Sequence, residues 1–107
     1  MRSAVLWAGL AAVLVSGSLF SAGKGDPAKG KEVFEQCGVC HNTDSDEKKI
    51  GPALKGLYKH PKLKNGKAVS DQNVLGIINA GGNGMPSYSD MLSDEEKSDL
   101  IAYLRTL

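Results

Sequence analysis

Residues 26–41 read Asp26-Pro27-Ala28-Lys29-Gly30-Lys31-Glu32-Val33-Phe34-Glu35-Gln36-Cys37-Gly38-Val39-Cys40-His41, and the fold follows from how this stretch begins and ends. Asp26 supplies an N-cap oxygen, and Pro27 stands at the first helical position, where a missing N–H costs nothing. Gly30, Val33, Phe34 and Cys37 then recur at three- and four-residue steps, with Lys29, Lys31, Glu32 and Glu35 around the other sides. This spacing predicts an amphipathic helix running into Cys37. Positions 37, 40 and 41 fall on one face of a helical turn, so two thiols and an imidazole can meet one flat macrocycle without the chain reversing. Cys-x-x-Cys-His is the attachment signature of c-type haem, in which both thiols add to porphyrin vinyl groups and the histidine ligates iron. Small Gly38 is expected to keep the turn uncrowded.

Two plainer readings compete for the same residues. A redox dithiol of the thioredoxin kind would follow a buried strand, whereas here an amphipathic helix leads into Cys37. A tetrahedral zinc would need a fourth ligand, and His60 is the remaining donor of the usual kind. Neither suits its surroundings as haem does.

Working outward, the 107 residues allow one small domain. Arg2 precedes an uncharged apolar stretch from Ala4 to Phe20, and Ser21-Ala22-Gly23 stands just before Lys24. That order is the layout of a secretory signal peptide, so residues 1–23 are expected to be the export signal and 24–107 the functional domain. The rival is an uncleaved membrane anchor, which needs roughly 20 apolar residues; this stretch is shorter and contains Ser16, Gly17 and Ser18. Export agrees with haem attachment, which belongs to compartments outside the cytosol. A domain of about 84 residues is near the size at which a hydrophobic core needs help. A disulfide between Cys37 and Cys40 would close too short a loop to give it. A haem of large apolar area would.

Downstream, Asn42 to Asp46 breaks the helical pattern, and Ile50-Gly51-Pro52-Ala53-Leu54 reads as an extended turn. Leu54, Leu57 and Tyr58 suggest a short helical turn, and Pro61 and Asn65-Gly66 punctuate a lysine-rich loop. Ser70 caps a second helix, with Val69 and Val74 as a hydrophobic staple and Val74, Leu75, Ile77 and Ile78 as its apolar face. Ala80-Gly81-Gly82 ends it, and Asn83-Gly84-Met85-Pro86 is expected to be a loop whose glycine permits close approach to something. Ser93-Asp94-Glu95-Glu96 matches the capping box, followed at helical spacing by Leu100, Ile101, Tyr103, Leu104 and Leu107. With no strand alternation, repeat or low-complexity tract after residue 23, the fold class is all-α.

Charge is balanced in number and uneven in place. Arg2 is the one charge within residues 1–23, so the remainder is close to neutral, which argues against nucleic acid as a partner. Residues 48–67 hold seven lysines and no Asp or Glu, whereas residues 90–107 hold five acids against Lys97 and Arg105. A solvated loop explains the lysines as readily as a docking patch does.

In their order, Gly30-x-x-x-Phe34, Cys37-x-x-Cys40-His41, Gly51-Pro52-x-Leu54, Gly84-Met85-Pro86-x-Tyr88 and Leu100-Ile101-Ala102-Tyr103-Leu104 resemble the short bacterial class I cytochromes c, over residues 26–107. The resemblance implies N- and C-terminal helices that cross, Gly30 and Phe34 meeting Leu100 and Tyr103, with loops and short helices wrapping one haem c bound through Cys37 and Cys40. It implies His41 as the proximal iron ligand, Met85 as the distal one, and the Pro52 carbonyl accepting from the other ring nitrogen of His41. Met85, on a loop between Gly84 and Pro86, is the better thioether; Met91 reads as ordinary packing. His60 falls where the family often has an arginine near a haem propionate, and among Lys59, Pro61 and Lys62 it reads as a solvated loop residue. The tryptophan that many longer relatives place near a propionate is also missing after residue 23.

The function so implied is a single-electron carrier rather than an enzyme, in the bacterial periplasm, soluble or membrane-anchored. Its partners would be redox proteins with acidic surfaces, and a membrane only if residues 4–20 are retained. The alternative is a haem sensor or peroxidase-like protein whose distal position is open or labile.

Overall fold

The structure, a computed structural model, describes residues 25–107, and the proposed export segment lies outside them. Three α-helices carry the fold: α1 (Pro27–Phe34), α2 (Asp71–Ala80) and α3 (Asp94–Leu104), with a single 3-10 turn at Leu57–Lys59. Among the described residues there is no strand; two isolated antiparallel bridges, Lys62 with Ala68 and Gly82 with Met85, close local turns.

Each helix starts where its capping residues dictate. The Asp26 carboxylate accepts from the Ala28 and Lys29 amides, with Pro27 at the first helical position. Ser70 accepts from the Asn73 amide. Ser93 and Glu96 form the complete capping box, satisfying two amides that the helix itself leaves free. At the other end of α2, Gly81 (φ 66°, ψ −154°) adopts a conformation open in practice only to glycine.

The frame is the crossing of α1 on α3. A Cβ built on Gly30 would stand 1.9 Å from the Asp99 carbonyl oxygen and 2.8 Å from Tyr103 Cβ, so glycine alone permits the two backbones to approach this closely. One turn on, the Phe34 and Tyr103 rings pack with centroids 5.3 Å apart and planes tilted by 53°, a favourable aromatic geometry. The buried Asp99 carboxylate accepts from the Asp26 amide at 2.8 Å, fastening the start of α1 to the middle of α3. Phe34, Val74, Ile78, Tyr88, Leu92, Leu100, Ile101 and Leu104 form the core between the helices and the loop after α2.

A second tie joins α2 to α3. Asp71, in the first turn of α2, pairs with Arg105 at the end of α3 and accepts from the Tyr58 hydroxyl at 2.8 Å. Hydrogen bonding from Arg105 holds the Asp71 carboxyl below the usual carboxylate range. Burial, and then the Asp71 hydrogen bond, pushes the Tyr58 phenol far up.

Three details differ from the sequence reading. The α-helix stops at Phe34, and residues 35–40 continue as successive turns, so Cys37 and Cys40 do not share one regular helix. Gly38 is not needed for space, since a Cβ there would meet Glu35 O at 3.5 Å and the Phe34 ring at 3.6 Å, ordinary contact distances. Met91 is 60% exposed, hence not core filler.

Candidate functional site

The turns after α1 set the cysteines and the histidine. Cys37 N bonds to Phe34 O, and Cys40 N and His41 N both bond to Cys37 O at 3.0 Å. One turn of chain thus separates Cys37 from His41, which preserves the shared face expected from a regular helix. Both cysteine side chains are half-buried. Burial, reinforced by neighbouring Cys40, pushes the Cys37 thiol up. A helix and its following turns, not a buried strand, lead into Cys37, which disfavours the redox-dithiol alternative.

Residues 51 and 52 then fix the imidazole. Gly51 N bonds to Cys40 O at 2.7 Å, folding the loop back over the motif. His41 Nδ1 lies 2.7 Å from the Pro52 carbonyl oxygen. A carbonyl only accepts, so Nδ1 carries the proton and, in the neutral ring, Nε2 is left with its lone pair. A Cβ on Gly51 would stand 2.6 Å from His41 Cε1, so the ring lies flat against a backbone that has no side chain there. The sequence motif marked Gly51 without revealing this role.

Met85 arrives on the segment that follows α2. Gly82 and Met85 exchange two backbone hydrogen bonds, N to O at 2.8 and 3.0 Å. The two residues between them both have positive φ, Asn83 at 54° and Gly84 at 91°. This is a two-residue hairpin of the kind that an Asn-Gly pair favours. Gly84 is therefore required by the turn, and nothing lies within 4 Å of where its Cβ would be. The close approach falls instead at Gly81, whose Cβ would stand 2.5 Å from the Met85 carbonyl oxygen and 2.7 Å from Pro86. Ser87 Oγ donates to Asn79 O, and Tyr88 N bonds to Ile78 O, stitching the arm after Met85 to the last turn of α2. Burial pushes the Tyr88 phenol up, keeping it a neutral hydroxyl.

These segments converge on one cleft lined by Phe34, Cys37, His41, Leu54, Ile78, Met85, Leu100 and Leu104. Apart from the imidazole, its lining is apolar or sulfur-bearing. The chemistry of this lining suits a flat, largely apolar group with a central metal: the carbon side chains would receive a macrocycle, Cys37 with neighbouring Cys40 would anchor it, and the His41 nitrogen and Met85 thioether would be the donors to a metal. Among the described residues no group of three or more His, Cys, Asp or Glu is arranged to hold a metal ion. His60 is exposed on its loop and does not line the cleft.

A family model described as Cytochrome c matches residues 27–107. The chain belongs to the cytochrome c family. Haem c in this family is held covalently through cysteine, and Cys37 and Cys40 are the two cysteines of this chain. Cytochrome c2 of Rhodopila globiformis is 29% identical over 107 aligned residues, 81% of this chain and 98% of that protein. Cytochrome c2 of Blastochloris viridis is 40% identical over 62 residues, 56% of this chain; the match spans about half (49%) of that protein. Among solved structures, cytochrome c6 from the diatom Phaeodactylum tricornutum superposes with a TM-score of 0.61 at 25% identity, covering 77% of this chain and 93% of the other. Cytochrome cH from Methylobacterium extorquens shares the fold, with a TM-score of 0.58 at 23% identity, over 78% of this chain and all (100%) of the other. The all-α architecture expected for a cytochrome c is thus the one present. Among the described residues no helix is long and apolar enough to cross a membrane.

Proposed function

We propose that the protein is a periplasmic single-electron carrier in which His41 and Met85 occupy the two axial positions of the haem iron. The observation that carries this reading is that His41 and Met85, from segments far apart in the sequence, line one apolar cleft beside Cys37. The bound haem supplies a one-electron iron couple, at a potential raised by His/Met ligation. The Pro52 carbonyl holds the His41 ring in one orientation and one tautomer, with Nε2 toward the metal. The hairpin and the Gly81 contact hold the Met85 thioether, which keeps external ligands out. Phe34, Leu54, Ile78, Leu100 and Leu104 exclude water, so a change in iron charge meets a fixed, poorly polarisable shell. The cleft lining includes no carboxylate and no second imidazole for acid–base work on a bound substrate, which weighs against the sensor or peroxidase alternative.

Electron exchange with partners takes place where the chain around Cys40 reaches solvent. Val39, 67% exposed, and Ile50, 73% exposed, are apolar there, beside the exposed Lys48 and Lys49. A small apolar contact ringed by lysines suits a brief encounter with an acidic redox protein, steered by charge. The N-terminal 23 residues direct the chain out of the cytosol in this reading, as signal or as anchor.

The test is reduction of the purified holoprotein by a small outer-sphere reductant, followed by reoxidation by an acidic redox protein. The expected result is complete, reversible cycling with a bimolecular rate that falls as salt is raised, and no turnover of hydrogen peroxide. Rapid peroxide turnover by the intact protein would contradict the carrier reading.

A further inference from the structure

We propose that Lys97 is a positioning residue for the axial methionine: its ammonium clamps the arm of the loop that carries Met85, and so sets how firmly Met85 excludes external ligands. The inference rests on the reading of Met85 as an iron ligand. Lys97 lies in α3 and is only 9% exposed. Lysine is rarely so buried without a charged partner, and its stem usually carries the ammonium outward to water. Here Nζ donates to the Ser89 backbone carbonyl at 2.9 Å. The first turn of α3 carries Asp94, Glu95 and Glu96, all exposed, yet the recorded partner of the Lys97 ammonium is a neutral carbonyl eight residues earlier in the chain.

The placement of that carbonyl gives the bond its consequence. Ser89 follows buried Tyr88 in the segment from Gly81 to Leu92, which connects α2 to α3 and bears Met85 on its hairpin. On the α2 side this segment is held by Ser87 Oγ to Asn79 O and by Tyr88 N to Ile78 O. Beyond Tyr88, the backbone bonds are local ones, from Met91 N and Leu92 N back to Tyr88 O at 3.2 and 3.3 Å. Lys97 supplies the fastening from the body of α3, and a bond from an ammonium is stronger than one between neutral groups. With it, the segment spans two helices and cannot swing without breaking a tie on one side. Without it, the Ser89 carbonyl turns to water; Tyr88 and Leu92 keep their packing in the core, but the exposed stretch between them loses its polar tie to the body of α3.

The experiment compares ferrous holoproteins of the wild type, Lys97→Met, Lys97→Gln, Lys97→Arg and Ser93→Ala. For each, carbon monoxide affinity, the thioether-to-iron absorption band of the ferric form and the thermal unfolding midpoint are measured. Ser93→Ala weakens α3 through its cap without touching Ser89, and so stands for a purely structural loss. We expect Lys97→Met to bind carbon monoxide about tenfold more tightly than the wild type, the scale of one lost charge-assisted hydrogen bond, with a weakened ferric band. Lys97→Gln should fall between, Lys97→Arg should return toward the wild type, and Ser93→Ala should lower the midpoint while leaving gas affinity unchanged. Lys97→Met and Lys97→Gln both as closed as a closed wild type would overturn the clamp alone, and so would Ser93→Ala opening the iron as far as Lys97→Met does. A wild type that itself binds the gas freely would overturn the Met85 reading and the clamp with it.

Discussion

At Gly30 a methyl group would land inside the van der Waals envelope of the Asp99 carbonyl, a backbone atom that cannot rotate away. Gly30→Ala should therefore force α1 off α3 and cost about 1–3 kcal/mol, read as a lower denaturant midpoint of the holoprotein. Gly38→Ala serves as the comparison: its Cβ meets only ordinary contacts, and the midpoint should stay within about 0.5 kcal/mol of the wild type. Gly51→Ala acts on the site instead, pushing on the His41 ring at Cε1, and should disturb the haem spectrum more than the unfolding midpoint. Residues with a chemical signature were legible in advance: Cys37, Cys40 and His41 by spacing, and Met85 and Pro52 through the family resemblance. The glycines were not, because a sequence gives the missing side chain without saying what stands where it would be. Gly81 ends α2 as expected but also admits the chain at Met85 and Pro86, Gly84 and Gly38 do something other than their spacing suggested, and Lys97 carried no local signal at all.

Among the elements, the capping residues act before any packing. Loss of the α3 cap in Ser93→Ala should cost about 1 kcal/mol in thermal or chemical unfolding. The Asp71 tie between α2 and α3 has a pH dependence whose sign follows from its partners. Arg105 lowers the Asp71 carboxyl in the folded state, so its contribution is present above the ordinary carboxylate pKa, about 3.9, and is lost as pH falls through the lowered value. The pair is more than a third exposed, which limits the effect to about 0.2–1 kcal/mol. Asp71→Asn should be less stable than the wild type by that amount at pH 7, and the difference should shrink as pH falls through the lowered carboxyl pKa, in paired denaturant titrations. Tyr58 acts at the other end: its raised phenol contributes below its ordinary pKa, about 10, and the contribution is lost as pH rises through the raised value. Helix starts were legible because caps are local chemistry, and Asp26, Ser70 and Ser93 each begin the helix they announce. The end of α1 was not, because apolar spacing carries past Phe34 into turns where Cys37 still faces the core. The Asn83-Gly84 hairpin has its dipeptide signal in the sequence, whereas the close approach expected of Gly84 falls at Gly81.

Over the whole molecule, the seven lysines of residues 48–67 are all exposed, and the five acids of residues 90–107 include four at the surface and Asp99 in the α1–α3 contact. This lopsidedness predicts association with acidic partners that slows as the Debye length shortens, from about 10 Å at 0.1 M salt to about 3 Å at 1 M. Charge reversal at Lys48 should lower the partner association rate, measured by stopped flow, and flatten its salt dependence, leaving the haem spectrum unchanged. In the proposed function this chain holds both axial positions, so the iron would exchange electrons and little else. The most direct test of that ligation is the absorption spectrum of the purified holoprotein, oxidised and reduced, with and without carbon monoxide. A low-spin spectrum in both states, with a reduced form that ignores the gas, is the predicted result. A high-spin ferrous haem, or one that binds carbon monoxide readily, would contradict the assignment of Met85 and with it the account of the protein as a closed electron carrier.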